Sequence, residues 1–164
     1  MRKLYLIIND YTIEKVMKTI RMIRLVVMAT VISMVFVSCD KDQMIEEQDL
    51  PQQARTFIAT HFQGQTMVFS LKERDDLSLS YEVRLSDGFE LDFDRKGKVT
   101  NIEGNGSKLP DSVLPVLMRE YLTAKFPGNW VTDWDKERYG QKVELDNGIE
   151  MAFDSKGGFL RYED

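Results

Sequence analysis

Val83-Arg84-Leu85-Ser86-Asp87-Gly88-Phe89-Glu90-Leu91-Asp92-Phe93-Asp94-Arg95-Lys96-Gly97 returns sixty positions later as Val143-Glu144-Leu145-Asp146-Asn147-Gly148-Ile149-Glu150-Met151-Ala152-Phe153-Asp154-Ser155-Lys156-Gly157. In the first copy Tyr81, Val83 and Leu85 alternate with Glu82 and Arg84, and Phe89, Leu91 and Phe93 alternate with Glu90 and Asp92. Each strand is therefore apolar on one side only. A two-residue Asp-Gly loop would pair Leu85 with Glu90 and mix the two faces. A three-residue loop, Ser86-Asp87-Gly88 with Gly88 left-handed, pairs Leu85 with Phe89, Val83 with Leu91 and Tyr81 with Phe93. The same logic pairs Leu145 with Ile149 and Val143 with Met151, and the next turns bring Phe93 to Val99 and Phe153 to Phe159.

Working outward, Leu50-Pro51, Phe57-Ile58 and Phe62-Gln63-Gly64 recur sixty-four positions on as Leu114-Pro115, Tyr121-Leu122 and Phe126-Pro127-Gly128. A repeat of this length is sought before any motif because it decides the architecture. Pro51 suits a helix start, Ala54, Phe57, Ile58 and His61/Phe62 recur at helical spacing, and Gly64 stops the run. Pro115, Met118, Tyr121, Leu122 and Phe126 repeat the stripe, closed by Pro127-Gly128. A further strand is expected in Thr66–Lys72 and again in Trp130–Lys136. The expected fold class is α+β: two tandem repeats, 50–105 and 109–164, each a helix packed on an antiparallel meander of about four strands. Each copy is small for independent stability, so the two are expected to share a sheet edge or a core. The Gly- and Asn-rich stretch 101–108 reads as the link between them.

The N-terminal part is not domain material. Leu25 to Val37 is an uncharged apolar run behind Lys15, Lys18, Arg21 and Arg24, and it ends at Ser38-Cys39. It is shorter than the roughly 20 residues a membrane span needs, which points to a cleaved signal peptide over residues 1–38, with an uncleaved anchor as the alternative. Residues 1–16 read as an overlong gene start, because Met17 opens a more economical basic region. Phe36-Val37-Ser38-Cys39 is similar to a bacterial lipobox, and Cys39, the single cysteine of the chain, has no disulfide partner within it. Acylation of Cys39 explains both facts; a free or buried thiol behind an ordinary signal peptide is the alternative. Acyl chains contribute roughly 0.8 kcal/mol per buried methylene, enough in combination to hold a protein on a membrane. Residues 39–49, rich in acidic side chains, read as a lipidated, solvated tether. Without residues 1–38 the chain keeps sixteen basic against twenty-five acidic residues. Nine net negative charges argue against a nucleic-acid partner.

The order Leu-Pro, amphipathic helix, Phe-Pro-Gly, Lys-Glu-Arg-Tyr-Gly, Val-Glu-Leu-x-Asn-Gly-x-Glu and Phe-Asp-x-x-Gly resembles the beta-lactamase-inhibitor-like, PepSY-like domain family of exported Bacteroidetes proteins. The resemblance spans Leu50 to Asp164. It implies tandem helix-plus-sheet units, no catalytic residues, and a role in binding or restraining another exported protein. No inhibitory residue can be carried over position by position.

The residues themselves offer little chemistry. His61 is the only histidine, and with Lys125 at the matching position it reads as a cation at a helix C-terminus rather than a catalytic base. Asp87, Asn147, Asp94 and Asp154 suit turns. Asp92-Phe93-Asp94 faintly resembles the start of a calcium loop, but Lys96 stands at a ligand position, so no metal and no cofactor are expected. Function is expected on the polar sheet face, with Glu82, Arg84, Glu90, Asp92, Lys142, Glu144 and Glu150 as candidates. Arg84 would lie opposite Glu90, an attractive pair, and Glu144 opposite Glu150, a repulsive one. Trp130 and Trp134 join the candidates: with the ungapped register both indoles face outward as interface anchors, whereas a slip of one residue makes them core. The expected protein is a lipid-anchored, periplasmic or outer-membrane and cell-surface binding module, not an enzyme, whose partner is another envelope protein or peptide. The competing expectation is a passive envelope protein or a carrier with a pocket between helix and sheet.

Overall fold

The computed structural model describes residues 42–74 and 78–163. Residues 1–38, read from the sequence as a signal peptide with 1–16 as an overlong start, and Cys39 lie outside the described residues. Two ten-residue helices, α1 (Gln52–His61) and α2 (Val116–Lys125), accompany nine strands. These are β1 (Gln43–Met44), β2 (Met67–Arg74), β3 (Leu79–Leu85), β4 (Glu90–Asp94), β5 (Val99–Glu103), β6 (Val131–Glu137), β7 (Gly140–Leu145), β8 (Glu150–Phe153) and β9 (Phe159–Glu163). All strands form one antiparallel sheet whose spatial order is the chain order, β1 to β9.

That continuity corrects the expectation of two tandem helix-plus-meander units. β5 does not end a first unit: Asn101, Ile102 and Glu103 pair with Asp135, Trp134 and Asp133 of β6. The physical reason is twofold. An unpaired edge strand is a liability, and a core of fifty-odd residues is too small to stand alone. Joining β5 to β6 removes both problems, and the buried side chains from Leu50 to Phe153 make one hydrophobic cluster.

Within the sheet the hairpin registers follow the alternation. Val83 pairs with Leu91 and Tyr81 with Phe93, Val143 with Met151, Phe93 with Val99 and Phe153 with Phe159. Leu85 N–H donates to Phe89 O at 2.9 Å, and Gly88 takes a φ of +93°, closing the three-residue turn without a side-chain clash. The registers shift by one residue at Val68, Thr100, Thr132 and Leu160, each an extra residue opposite an uninterrupted partner strand. These bulges break the period of two that the sequence pattern relies on.

Both helices lie on the apolar face. Ala54 and Ile58 of α1, and Met118 and Leu122 of α2, are buried. Phe57 meets Phe93 edge-on at 6.0 Å, and Tyr121 meets Phe153 at 5.7 Å. Phe93 and Phe153 are fully buried, each contributing roughly 2–3 kcal/mol. The first turn of each helix rests on a glycine of the sheet. A Cβ on Gly97 would stand 2.7 Å from Pro51 Cβ and 2.8 Å from Ala54 N; on Gly157 it would stand 2.8 Å from Pro115 Cβ and 2.9 Å from Met118 N. In the segment read as a tether, Gln43 and Met44 instead pair with Lys72 and Leu71, and Ile45 packs against the core.

Candidate functional site

Strand pairing brings together side chains that are far apart in sequence. Register partners on neighbouring strands share a face, so Arg84, Glu90, Glu103, Asp133, Glu144, Glu150 and Glu163 form one row across β3 to β9. A second row runs Glu82, Asp92, Asn101, Asp135, Lys142, Ala152 and Arg161. Both rows lie on the face opposite the helices. Seven of the residues expected on a binding face, Glu82, Arg84, Glu90, Asp92, Lys142, Glu144 and Glu150, are thus neighbours on one surface.

Neutralisation is uneven along the rows. At one end Arg84 bonds Glu90 at 2.9 Å; towards the other, Arg161 bonds Glu163 at 2.6 Å. Glu144 does face Glu150, and Lys142 relieves that pair by reaching Glu150 at 3.4 Å and Asp135 at 3.9 Å. Between them, at the β5–β6 junction, Glu103 and Asp133 stand side by side. Burial, then the nearby Glu90, Asp133 and Asp135, raise the Glu103 carboxyl above its ordinary range. Burial and the charges of Glu73 and Glu90 raise Glu82 likewise. Asp92 is pushed up to about 6, by burial first and then by Glu82, Glu73, Glu103 and Glu90. Carboxylates that resist ionisation in company are held in a field favouring an added cation. Near β9 the face hollows into a depression of about 410 Å³ where Tyr139, Lys142, Glu150, Arg161 and Glu163 meet.

Glu103, Asp133 and Asp135 belong to this surface although the sequence reading passed over them. Strand alternation could not find them, because the bulges at Thr100 and Thr132 interrupt it. The same bulge separates the tryptophans. Trp134 pairs with Val143 on the helix face, is 8 % exposed, and donates its Nε1–H to Gln141 Oε1 at 2.8 Å. Trp130 precedes β6, is 39 % exposed and sits at the rim of the α2 end of the sheet. Trp134 is thus core, as the one-residue slip gives, and Trp130 is an exposed indole off the polar face, so the outward-facing pair on that face is corrected.

His61 stands in the last turn of α1 and Lys125 in that of α2, the positions read from the sequence. Burial lowers the pKa of His61 below the ordinary 6.5, which favours the neutral ring at pH 7. Its Nδ1 lies 2.9 Å from Ser112 Oγ, and its ring 4.6 Å from that of Phe57. From the last turn of α1 it makes a hydrogen-bonded contact to the 112 turn. Asp94 Oδ1 accepts from the Lys96 and Lys98 amides, and Asp154 Oδ1 from the Lys156 and Gly158 amides. These carboxylates build turns. Among the described residues no group of three or more His, Cys, Asp or Glu side chains is placed to hold a metal ion.

An antiparallel sheet with two short helices on one face and an acidic opposite face defines a class of small α+β domains. The chain belongs to the "putative beta-lactamase-inhibitor-like, PepSY-like" family, which matches it over residues 36–101 and again over 79–161. It is similar to a Bacteroides thetaiotaomicron structure described as a "putative calcium-regulated periplasmic protein", with 28 % identity and a TM-score of 0.71 over 75 % of this chain and 97 % of that one. A "putative periplasmic protein of unknown function" from Bacteroides vulgatus is 32 % identical with a TM-score of 0.71, over 76 % of this chain and 100 % of that one. A further Bacteroides vulgatus structure, described as a "putative periplasmic protein", is 30 % identical with a TM-score of 0.70, covering 77 % and 100 % respectively. No curated protein matches the chain. All three of these relatives are described as "putative" periplasmic proteins, which supports an exported chain.

Proposed function

We propose that this protein is a non-catalytic extracytoplasmic binding module, lipid-anchored through Cys39, whose acidic sheet face takes a cationic segment of another envelope protein and restrains it. The observation that carries this reading is the run of Glu90, Glu103, Asp133, Glu144 and Glu150 on one face, with its least neutralised part at the β5–β6 junction. A flat acidic face gains affinity by electrostatic steering and complementarity, and loses it with salt. His61 and Ser112, which hydrogen-bond to each other at 2.9 Å, are not part of this face.

Fluorescence anisotropy with a labelled Lys/Arg-rich peptide tests the face. Saturable binding, weakened at least tenfold by Glu103→Gln with Asp133→Asn and by raising salt from 50 to about 300 mM, supports it. Binding that ignores both changes sinks it. Calcium enters as a competitor in the same assay, because a relative is described as calcium-regulated; displacement by millimolar calcium but not by equal ionic strength of sodium would make the cation itself the ligand. The anchor is tested separately. Cys39→Ser should abolish incorporation of an alkynyl fatty acid and release the protein from membranes; unchanged membrane association would remove the lipid.

A further inference from the structure

Two matching pockets lie on the helix side of the sheet, away from the acidic face. One, of about 440 Å³, is formed by Arg55, Ile58, Ala59 and Phe62 of α1 with the 63–67 segment and Glu47. Its counterpart, of about 240 Å³, is formed by Arg119, Leu122, Thr123 and Phe126 of α2 with Trp130 and Lys108 among the rest of its wall. The helix residues correspond one for one at a spacing of sixty-four. Spacings of three and four along each helix put the arginine, the aliphatic residue and the phenylalanine on one face.

Each pocket shares an electrostatic oddity. Arg55 Nε and Arg119 Nε are buried side-chain nitrogens without a hydrogen-bond acceptor among the described residues. Burying an N–H donor unpaired opposes folding, and interiors seldom tolerate it. That the same atom of the same residue type is left so at both positions argues against accident. Asp111, the acid in the wall of the α2 pocket, is paired with Lys108 at 3.1 Å rather than with Arg119. An arginine in this setting presents a planar fork suited to a carboxylate.

We infer that these pockets are paired subsites for a carboxylate carried on an apolar stem, the guanidinium taking the carboxylate and the Leu122, Phe126 and Trp130 wall taking the stem. A small turn of the side chain brings the Nε–H to the pocket surface, where it completes a two-point contact. The α2 pocket is the stronger of the two, because Trp130 adds an aromatic wall. A peptide C-terminus ending in an apolar residue and a free short-chain acid offer the same chemistry. This inference stands apart from the acidic-face reading, since neither pocket uses a residue of the two rows.

Trp130 reports on its own pocket. The full mature chain is titrated with acetyl-Ala-Ala-Phe as the free acid, with the same peptide as its C-terminal amide, and with hexanoate, while tryptophan emission is followed. Saturable change with the free-acid peptide, absent for the amide, and lost in Trp130→Phe, is the expected result. Arg119→Met should weaken it at least tenfold and Arg55→Met leave the Trp130 signal unaltered; Arg119→Lys, which keeps charge but not the fork, should fall between. Response to hexanoate alone at similar strength assigns the site to free acids, and preference for the peptide assigns it to chain ends. A melting temperature unchanged or raised in Arg119→Met shows that the arginine is not there to support the fold. Equal binding of the amide, survival of the response in Arg119→Met, or no saturation up to ten millimolar would overturn the inference.

Discussion

Replacing Asp92 with Asn removes the carboxylate most crowded by its neighbours. Asp92 sits mid-strand on β4 between Glu82 of β3 and Asn101 of β5, and its carboxyl is lifted from 3.8 to about 6. Because the folded pKa is the higher one, the folded state holds this proton more tightly than the unfolded chain does. The associated stability is complete below pH 3.8 and is lost as pH rises through about 6. In an unscreened site the displacement would amount to roughly 3 kcal/mol. Asp92 is only partly buried, and solvent screening cuts the effect to about 1 kcal/mol. Asp92→Asn is therefore expected to raise stability by about that amount at pH 8, moving the urea midpoint up by roughly 0.5–1 M. At pH 3.5 the two proteins should unfold together, and at pH 8 in 1 M salt, where the Debye length is about 3 Å, the gain should shrink. The gain should come with weaker capture of the cationic peptide, a trade of function for stability. A stabilisation that is equal at both pH values, or a loss at pH 8, would refute the electrostatic account of this face.

Gly97→Ala must strain a left-handed backbone and push against Pro51 and Ala54, and is expected to cost roughly 2–4 kcal/mol by thermal or urea unfolding. Gly88→Ala has the same backbone strain with nothing within 4 Å, so its cost should stay near about 1 kcal/mol; equal losses would show that helix seating on Gly97 is unimportant. Trp134→Phe keeps an aromatic ring but leaves the Gln141 amide without its donor, and should cost about 1–3 kcal/mol, against roughly 3–5 for Trp134→Ala. His61→Gln should flatten the pH dependence of stability on the acid side: the lowered pKa of His61 contributes stability above 6.5 that is lost as pH falls. An unaltered slope between pH 7 and 5 would argue against a partly desolvated imidazole held below its ordinary pKa.

Much of the local structure is legible in the residue pattern. Alternation at Tyr81, Val83 and Leu85 against Phe89, Leu91 and Phe93 decides the hairpin register, and the Pro51 and Pro115 stripes locate both helices within a residue or two. What escaped the pattern has two physical origins. Bulges at Val68 and Thr132 send Phe69 and Leu71 to the polar face and Ser70 and Trp134 to the core side, the reverse of what unbroken alternation gives. Pairing of β5 with β6 is encoded in no single strand, since it reflects two edges that are each better covered than exposed. The acidic surface inherits that limit: Glu103 and Asp133 are thirty positions apart, and only the junction makes them adjacent. Glu47 and Asp111, with Arg55 and Arg119, also match at sixty-four residues, but repetition alone does not show that an arginine nitrogen is left without an acceptor.

A sheet whose neighbours in space are always neighbours in the chain has a bearing on how the protein reaches its shape. Every strand from β2 onward meets a partner that has already emerged, so no segment must wait for a distant one. A polypeptide threaded through a membrane pore from its N-terminus can zip up on the far side hairpin by hairpin. Its growing border is sealed by each new arrival, which shortens the interval in which sticky strands lie open to aggregation.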